Sequence, residues 1–292
     1  MTIHIPVLPE EVLEGMNPKP GDFVVDGTLG GGGHTRRLLD LIGPTGHLIG
    51  LDRDPAAVED TRERVPDENA DFIVANYADM PELFYRNGIE PVDSILLDLG
   101  LSSDQLADRD RGFSFQSDGP LDLRFNPLSG EPASKLVNRL SEKHLANLIY
   151  EFGEERMSRR IARKIVRLRH DNPIETATQL ASIVRSCIPR TKQQSIDPAT
   201  RTFQALRIAV NEELKWLSAA MKRLPGLLKP GGRLAVISFH SLEDRIVKQA
   251  MNESLIVNVL TKKPIQASDA ELEENPRSRS AKLRVCERRP EQ

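Results

Sequence analysis

Asp26-Gly-Thr-Leu-Gly-Gly-Gly-Gly-His34 is the stretch that decides the fold of this chain. It follows a short apolar run, 23–25, and precedes apolar residues at helical spacing between Leu38 and Ile42. A strand, a run of glycines and a helix form the kind of turn that holds a nucleotide-like ligand, because glycine lets the backbone approach the ligand and the helix N-terminus offers N–H groups. The alternative is an ordinary flexible loop. Four consecutive glycines after an acid-terminated strand favour the ligand-binding turn.

Further strands and helices alternate after this turn. We predict strands over 22–28, 47–52, 71–75 and 93–98, with helices over 56–64 and 79–87 between them. Continuous apolar strands that alternate with helices predict a parallel sheet covered on both faces, with its ligands at the carboxyl ends of the strands. Those ends hold Asp26, Asp52, Tyr77 and Asp98.

The alternation stops in the middle of the chain. Between about Asp108 and Thr202 no strand pattern is present, and we predict an ordered loop over 112–124 and helices over 134–153, 154–170 and 177–188. Strand patterns resume over 231–239, 255–260 and 282–287, and the acidic stretch 271–275 is interpreted as a solvated loop. The sequence therefore predicts an α/β, Rossmann-like sheet domain in two parts, 1–107 and 204–292, interrupted by an all-helical insert, 108–203.

The composition is that of a soluble globular protein. The 292 residues are 39% hydrophobic and 28% charged, and no apolar run is long enough to span a membrane. The N-terminus has no pattern of a secretory signal. Cys187 and Cys286 fit no metal-ligand spacing, so we expect no metal, two buried thiols and a cytoplasmic location.

The charges are distributed unevenly along the chain. Residues 1–150 contain 13 basic and 26 acidic residues, whereas residues 151–292 contain 27 basic and 17 acidic ones. A polyanion would therefore be bound mainly by the C-terminal half. Two differently charged solvated surfaces would explain the same numbers.

The cofactor is indicated by two features. The dinucleotide fingerprint Gly-x-Gly-x-x-Gly has no match between Gly27 and Gly33, which argues against NAD. Asp52 does not separate the two cofactors, because it could accept hydrogen bonds from a ribose in either NAD or S-adenosylmethionine. The Pro-Gly-Gly turn at 230–232, which leads into a strand, looks like that of class I methyltransferases and favours S-adenosylmethionine. Gly32, Gly33 and His34 would then pass close to its methionine end.

Two of the cofactor contacts have plain alternatives. Tyr77 could pack beside the adenine, since its ring has an apolar face and a polar tip, or it could be ordinary core. Asp52 could accept from the ribose hydroxyls or cap the helix that starts near Pro55.

Eight motifs in order resemble those of the RsmH (MraW) methyltransferase family. They are 4–8, 26–34, 97–103, 111–115, 119–122, 200–205, 238–245 and 275–280. The resemblance covers nearly the whole chain and implies an enzyme that methylates the N4 amine of a cytidine in the decoding region of 16S rRNA, within the small ribosomal subunit. It also implies a methyltransferase domain interrupted by a helical substrate-recognition domain. The cofactor contacts that it implies are Gly32, Gly33, His34, Asp52, Tyr77, Asp98 and Gln105.

The chain departs from the family pattern in two places. Asp197 stands where members usually have His, and the segment 252–275 is short. Neither place includes a cofactor position, but both could alter how RNA is bound.

Asp98 is the candidate catalytic residue. The N4 amine of cytosine is a poor nucleophile because its lone pair is delocalised into the ring, and an acceptor at N4–H would draw that lone pair out and later receive the proton. Amino-methyltransferases place such a group at the end of the fourth strand, before Pro-Pro. Asp98 is followed by Leu99-Gly100 instead, so it could be the N4 acceptor, a cofactor ligand or both, and a fold-stabilising cap is a further alternative.

RNA contacts are expected from cations. A predicted helical stripe, which could also be a solvated face, contains Arg156, Arg159, Arg160, Arg163, Lys164 and Arg167. Family motifs add Arg201, Arg207, Arg277 and Arg279, together with His240, which could contact the base or be a core histidine. Phe113 and Phe115 could stack on a splayed base or pack in the core.

Two other functions fit the same residues less well. A non-catalytic RNA-binding or assembly factor would have no need of an intact cofactor turn. A small-molecule methyltransferase with a helical lid would have no need of the basic stripe. The sequence leaves monomer and homodimer equally open.

Overall fold

The computed structural model describes residues 6–115, 118–189 and 197–290. His4 and Ile5 of the first motif lie outside these ranges. The chain forms two compact units, a sheet unit (Met1–Ser103 with Leu214–Gln292) and a helical unit (Asp104–Glu213).

Seven strands form one sheet within the described part of the sheet unit. They are β1 (Phe23–Asp26), β2 (His47–Asp52), β3 (Ala70–Val74), β4 (Val92–Asp98), β5 (Leu228–Ser238), β6 (Val257–Val259) and β7 (Lys282–Arg288). The strand order is β3-β2-β1-β4-β5-β7-β6, and β7 runs antiparallel to both of its neighbours. The other strands are parallel. This order with a reversed β7 is that of class I methyltransferases and confirms the predicted fold class.

The register places three acids at one edge of the sheet. Asp26, Asp52 and Asp98 end β1, β2 and β4, and β1 lies between the other two strands. Strands β1, β2 and β4 are buried on both faces, which explains why each is a continuous apolar run rather than an alternating one.

Helices cover both faces of this sheet. They are α1 (Pro9–Met16), α2 (Gly33–Ile42), α3 (Pro55–Arg64), α4 (Met80–Asn87), α11 (Glu213–Arg223), α12 (Ser241–Glu253) and α13 (Asp269–Glu274). Apolar residues of α1, α2 and α3 form one buried cluster with the strands, and those of α4, α11 and α12 form the other. Each buried Leu, Ile or Val contributes about 1.5–3 kcal/mol of transfer free energy.

The helical unit contains no strand within its described residues. A short helix, α5 (Ser103–Ala107), leads into it, and the others are α6 (Ala133–Arg139), α7 (Glu142–Gly153), α8 (Ser158–Arg169), α9 (Ala177–Arg185) and α10 (Thr200–Asn211). Helix α7 packs against α8 and α10. Gly153 permits the close approach to α10, because a Cβ there would lie 2.4 Å from the carbonyl oxygen of Arg201.

The unit extends over 104–213, whereas the sequence placed the insert at 108–203. The difference at the C-terminal side has a simple cause, since α10 continues to Asn211 as one helix and its residues pack on α7.

Two local predictions are wrong. The single helix over 134–153 is two helices, because Leu140 is extended and Ser141 caps α7 by accepting the N–H of His144. The stretch 271–275 is not a loop, because residues 271–274 belong to α13, which Ser268 caps, and Asn275 follows its last turn. The Glu271 carboxylate also accepts the backbone N–H of Leu8 at 2.7 Å.

Both cysteines are buried and free, as expected. Burial raises the pKa of the Cys286 thiol to about 12. Across the described ranges, none of the helices combines the length and the apolar character that crossing a membrane requires.

Candidate cofactor and substrate site

Asp26 fixes the start of the glycine turn. Its side chain is almost completely buried, and it accepts hydrogen bonds from the Thr28 N–H at 3.1 Å and the Thr35 hydroxyl at 2.7 Å. The Thr28 hydroxyl in turn accepts the N–H of Asp98 at 2.6 Å. Burial raises the pKa of Asp26, and the two hydrogen bonds oppose that rise. These bonds join the end of β1 to helix α2 and to the end of β4.

Two glycines of the turn have backbone dihedral angles in the left-handed region. Gly30 and Gly32 have φ values of 50° and 74°, a region that residues with a Cβ adopt only with strain. Gly32 is the N-cap of α2, and Gly33 and the buried His34 form the first turn of that helix. The structure places Gly32, Gly33 and His34 at the start of α2, and their contact with the cofactor stays a prediction.

Asp52 is tied to this turn from the next strand. Its Oδ2 accepts the N–H of Gly30 at 3.0 Å and its Oδ1 accepts the N–H of Asp54 at 2.9 Å. The cap of α3 is Asp54, whose side chain accepts from Ala56, so Asp52 does not have that role. Burial raises the pKa of Asp52 to about 6. Each carboxylate oxygen keeps a further lone pair with which it could accept a ribose hydroxyl.

Asp98 lies opposite the start of helix α2. Its side chain is 18% exposed, and its Oδ2 lies 3.8 Å from Nε2 of His34. The buried Oδ1 has no hydrogen-bond partner among the described residues. Burial, reinforced by the negative charges of Asp26 and Glu243, raises the pKa of Asp98 to about 8, while the positive charge of Arg277 opposes the rise.

Tyr77 follows β3 in a short 3-10 turn. It is partly buried against the cluster of α4, α11 and α12, and its Cβ lies next to Gly27. Gln105 is buried in α5, within the helical unit, and its contact with the cofactor stays a prediction.

These residues fit S-adenosylmethionine. The turn is held in a conformation that only glycine adopts without strain, an acid stands at the end of the neighbouring β2, and an aromatic residue follows β3. Asp98 adds a buried acceptor atom that the described protein residues leave without a hydrogen bond. A cluster of three or more metal-ligating side chains is not found in the described ranges.

His240 is the N-cap of α12. Its Nδ1 accepts the N–H of Glu243 at 3.5 Å, and its Nε2 lies 3.1 Å from Oε1 of the same residue. Glu243 is itself buried and accepts the N–H of Phe239 at 2.9 Å. Both ring nitrogens therefore face Glu243, and base contact by His240 stays a prediction. Sequence reasoning missed Glu243, although its place three residues after a helix cap was a usable signal.

The predicted basic stripe lies on α8. Arg159, Arg160, Arg163 and Arg167 are exposed, while Ile161, Ala162 and Ile165 of the same helix are buried. Arg156 precedes the helix and is exposed. Two members have protein partners: Lys164 donates to the Ser186 hydroxyl at 2.6 Å, and Arg163 lies 3.4 Å from the Glu142 carboxylate.

The arginines of the family motifs differ in their surroundings. Arg201 and Arg279 are exposed. Arg207 forms two hydrogen bonds, of 2.9 and 3.0 Å, with Glu213, and both side chains are nearly buried. Arg277 is exposed and donates to the Leu101 carbonyl oxygen at 2.6 Å. The role of each in RNA binding stays a prediction.

The remaining candidates pack within the helical unit. Phe113 stacks on Phe125 at 5.9 Å between ring centroids, and Phe115 meets Phe203 edge-on at 5.4 Å. Asp197, the departure from the family pattern, accepts hydrogen bonds from the Arg185 guanidinium at 2.8, 3.0 and 3.2 Å.

Comparison with known proteins gives concordant matches. A family model described as "MraW methylase family" matches residues 1–289. "Ribosomal RNA small subunit methyltransferase H" of Deinococcus deserti is 53% identical over 287 residues, covering 98% of this chain and 93% of its own. The protein of the same name from Geobacter sulfurreducens is 49% identical over 306 residues and covers 98% of both chains. A solved rRNA methylase from Streptococcus thermophilus, 12% identical, covers 96% of this chain and 93% of its own at a TM-score of 0.45.

Proposed function

Because the chain belongs to the MraW methylase family, we propose that it transfers the methyl group of S-adenosylmethionine to the N4 amine of a cytidine in the decoding region of 16S rRNA. The relatives at 53% and 49% identity are named as methyltransferases of small-subunit ribosomal RNA. Their substrate class, carried over to this chain, is the starting point of the proposal.

The observation that supports amine methylation is the state of Asp98. Its Oδ1 is buried, lacks a hydrogen-bond partner among the described residues, and lies at the edge of the sheet where the glycine turn begins. Leaving a buried polar atom without a hydrogen-bond partner costs about 1–3 kcal/mol of stability. A hydrogen-bond donor on the substrate would therefore bind favourably to this carboxylate oxygen. The N4–H of cytosine would be that donor.

The chemistry requires positioning more than strong acid or base. S-adenosylmethionine supplies an electrophilic methyl group on its sulfonium. The N4 lone pair forms the new N–C bond as the S–C bond breaks, and Asp98 accepts the N4 proton. The carboxylate would also pull the lone pair out of conjugation with the ring before the transfer.

The other residues hold the cofactor and exclude water. Gly32, Gly33 and His34 would line the methionine end, Asp52 would accept from the ribose hydroxyls, and Tyr77 would pack beside the adenine. Gln105 completes the proposed contacts. The cofactor-binding set is thus Gly32, Gly33, His34, Asp52, Tyr77, Asp98 and Gln105.

RNA binding is assigned to cations. Arg160 and Arg163 of α8 and the motif residues Arg201, Arg207, Arg277 and Arg279 are the proposed phosphate contacts, with His240 as a candidate contact of the base. The target base would have to leave its stack to reach Asp98. We expect this to take place in the cytoplasm, on 16S rRNA within the small subunit, with the protein as a monomer or a homodimer.

The experiment is mass spectrometry of small-subunit rRNA after incubation with the protein and labelled S-adenosylmethionine. We expect one labelled nucleoside, an N4-methylated cytidine, in the decoding region. The Asp98→Ala variant should fold normally and transfer no label. Label on another atom, or none from a protein that binds the cofactor, would refute the assignment.

A further inference from the structure

Two segments far apart in the chain meet beside Asp98. One is the loop 99–103, which leads from the end of β4 to the end of the first part of the sheet unit. The other is the 3-10 helix Pro276–Ser280, which precedes β7. Arg277 joins them, because its guanidinium donates to the Leu101 carbonyl oxygen at 2.6 Å and to the Ser103 hydroxyl.

The loop begins where β4 ends. Leu99 donates its N–H to the carbonyl oxygen of Ile237 in the neighbouring β5 at 3.0 Å. Gly100 then turns the backbone with a φ of 101°, in the left-handed region. A planar guanidinium presents several N–H groups in a fixed fork, so one arginine can hold two acceptors of the same loop at once.

The segment that presents Arg277 is fixed by its own hydrogen bonds. Ser278 is buried, and its hydroxyl donates to the carbonyl oxygen of Asn275 at 2.7 Å. Asn275 is also buried. Arg277 therefore projects from a well-anchored turn.

We propose that Arg277 is a positioning residue, which fixes the loop after β4 by bridging Leu101 and Ser103 and so sets the geometry of Asp98 toward the cofactor. The proposal rests on the function proposed above, which gives Asp98 its part in the reaction. For this one arginine it replaces the role of a phosphate contact that was proposed above with the other motif arginines. The charge of Arg277 acts on the same carboxyl, since it opposes the rise of the Asp98 pKa.

Arg279 provides a matched comparison. It lies two residues further on in the same 3-10 helix, is exposed, and forms no hydrogen bond or ion pair with any other described residue. If both arginines bound phosphate, their neutral variants would behave alike. If Arg277 positions the loop, the two variants will differ in S-adenosylmethionine affinity and in hydrogen exchange of the loop, neither of which involves RNA.

The test uses the full-length protein with Arg277→Gln, Arg277→Lys and Arg279→Gln. Calorimetry should show S-adenosylmethionine bound about tenfold more weakly by Arg277→Gln, the loss expected for a charge-assisted hydrogen bond. Hydrogen exchange should be faster in residues 99–103 of the same variant. Arg279→Gln should match the wild type in both measurements.

The pH dependence of kcat adds a readout that a merely structural residue would not move. Removal of the positive charge lets the pKa of Asp98 rise, so the acidic limb should move to higher pH in Arg277→Gln. Arg277→Lys keeps the positive charge but lacks the planar guanidinium. The acidic limb of its kcat–pH profile should therefore stay near that of the wild type, while hydrogen exchange in the loop 99–103 increases. Wild-type cofactor affinity and exchange in Arg277→Gln would overturn the proposal, as would a change confined to the KM for RNA and its salt dependence.

The outcomes of calorimetry and hydrogen exchange are independent of the proposed function. If the wild-type protein binds S-adenosylmethionine but methylates no small-subunit rRNA, the function fails. The positioning role then stands or falls on calorimetry and hydrogen exchange alone.

Discussion

Asp98 is a buried carboxyl whose surroundings favour its protonated form, because burial and the charges of Asp26 and Glu243 raise its pKa to about 8. If it accepts the N4 proton it must be ionised, so kcat should rise with pH and level off above about 8. Asp98→Asn should lower kcat by about 100-fold or more and abolish this limb. Rates measured from pH 6 to 9 under single-turnover conditions check the prediction. A flat wild-type profile would exclude Asp98 as the acceptor.

The same carboxyl should reduce stability at high pH. Its folded-state pKa of about 8 lies above its ordinary value of 3.8, so between those values the folded state binds more protons than the unfolded state, and stability falls as pH rises through this window. Without cofactor, Asp98→Asn should therefore match the wild type near pH 4 and exceed it at pH 9, by about 2 kcal/mol or more. Thermal unfolding across this range measures the difference.

Asp244 is the control for that experiment. Burial alone would raise its pKa, but the hydrogen bond from Arg284 at 2.6 Å, the charge of Arg284 and the nearby Lys282 together outweigh burial, and the pKa is lowered. Asp244→Asn should accordingly lose stability at neutral and high pH. A gain in both variants would show that the effect is general loss of negative charge and has no specific link to Asp98.

Helix α8 offers a test of RNA binding by one element. Arg160 and Arg163 are exposed on it, so each change to Gln should weaken RNA binding regardless of sequence and reduce the slope of log K against log salt by about 0.7–0.9. Filter binding to small-subunit rRNA at several salt concentrations gives the slope. An unchanged slope in both variants would make this helix an ordinary solvated face.

Arg169 of the same helix is the matched control. Its guanidinium donates to the carbonyl oxygen of Val137 and is partly desolvated, which lowers its pKa. Arg169→Gln should cost about 1–3 kcal/mol of stability and leave the salt slope unchanged. The two kinds of variant thus separate binding from folding.

The elements differ in how well the sequence predicts them. Strands β1, β2 and β4 are predictable because a parallel strand buried on both faces must be a continuous apolar run. The break between α6 and α7 was missed, although Ser141 before an acidic residue is a helix-start signal, because the apolar spacing continues across it. Helix α13 was also missed, because its charged residues indicated a solvated loop although Ser268 before them is a typical N-cap residue.

The residues of the candidate site also differ in how well the sequence predicts their positions. Asp26, Asp52 and Asp98 could be placed together because they end neighbouring strands of a parallel sheet. The acceptors of Arg277 could not, because an arginine bonded to a loop far away in the chain depends on tertiary packing that has no local pattern.

The sheet unit as a whole depends on its last strand. Strand β7 pairs with both β5 and β6, and it buries Leu283, Val285 and Cys286. A chain that ends at Ser280 should therefore fail to fold its sheet unit, since the loss exceeds a domain stability of about 5–15 kcal/mol. Circular dichroism and S-adenosylmethionine binding check this. A chain that ends at Pro290 is the control and should behave as the full-length protein.

The order of the two units along the chain affects how the protein is made. The helical unit is continuous, whereas the sheet unit needs residues on both sides of it, and the carboxylate of Glu271 fastens Leu8 near the opposite end. During translation the helical unit leaves the ribosome complete while the sheet still lacks β5, β6 and β7. We expect it to fold first, and the sheet that carries the site for the methyl donor to be completed only after β5, β6 and β7 have been synthesised.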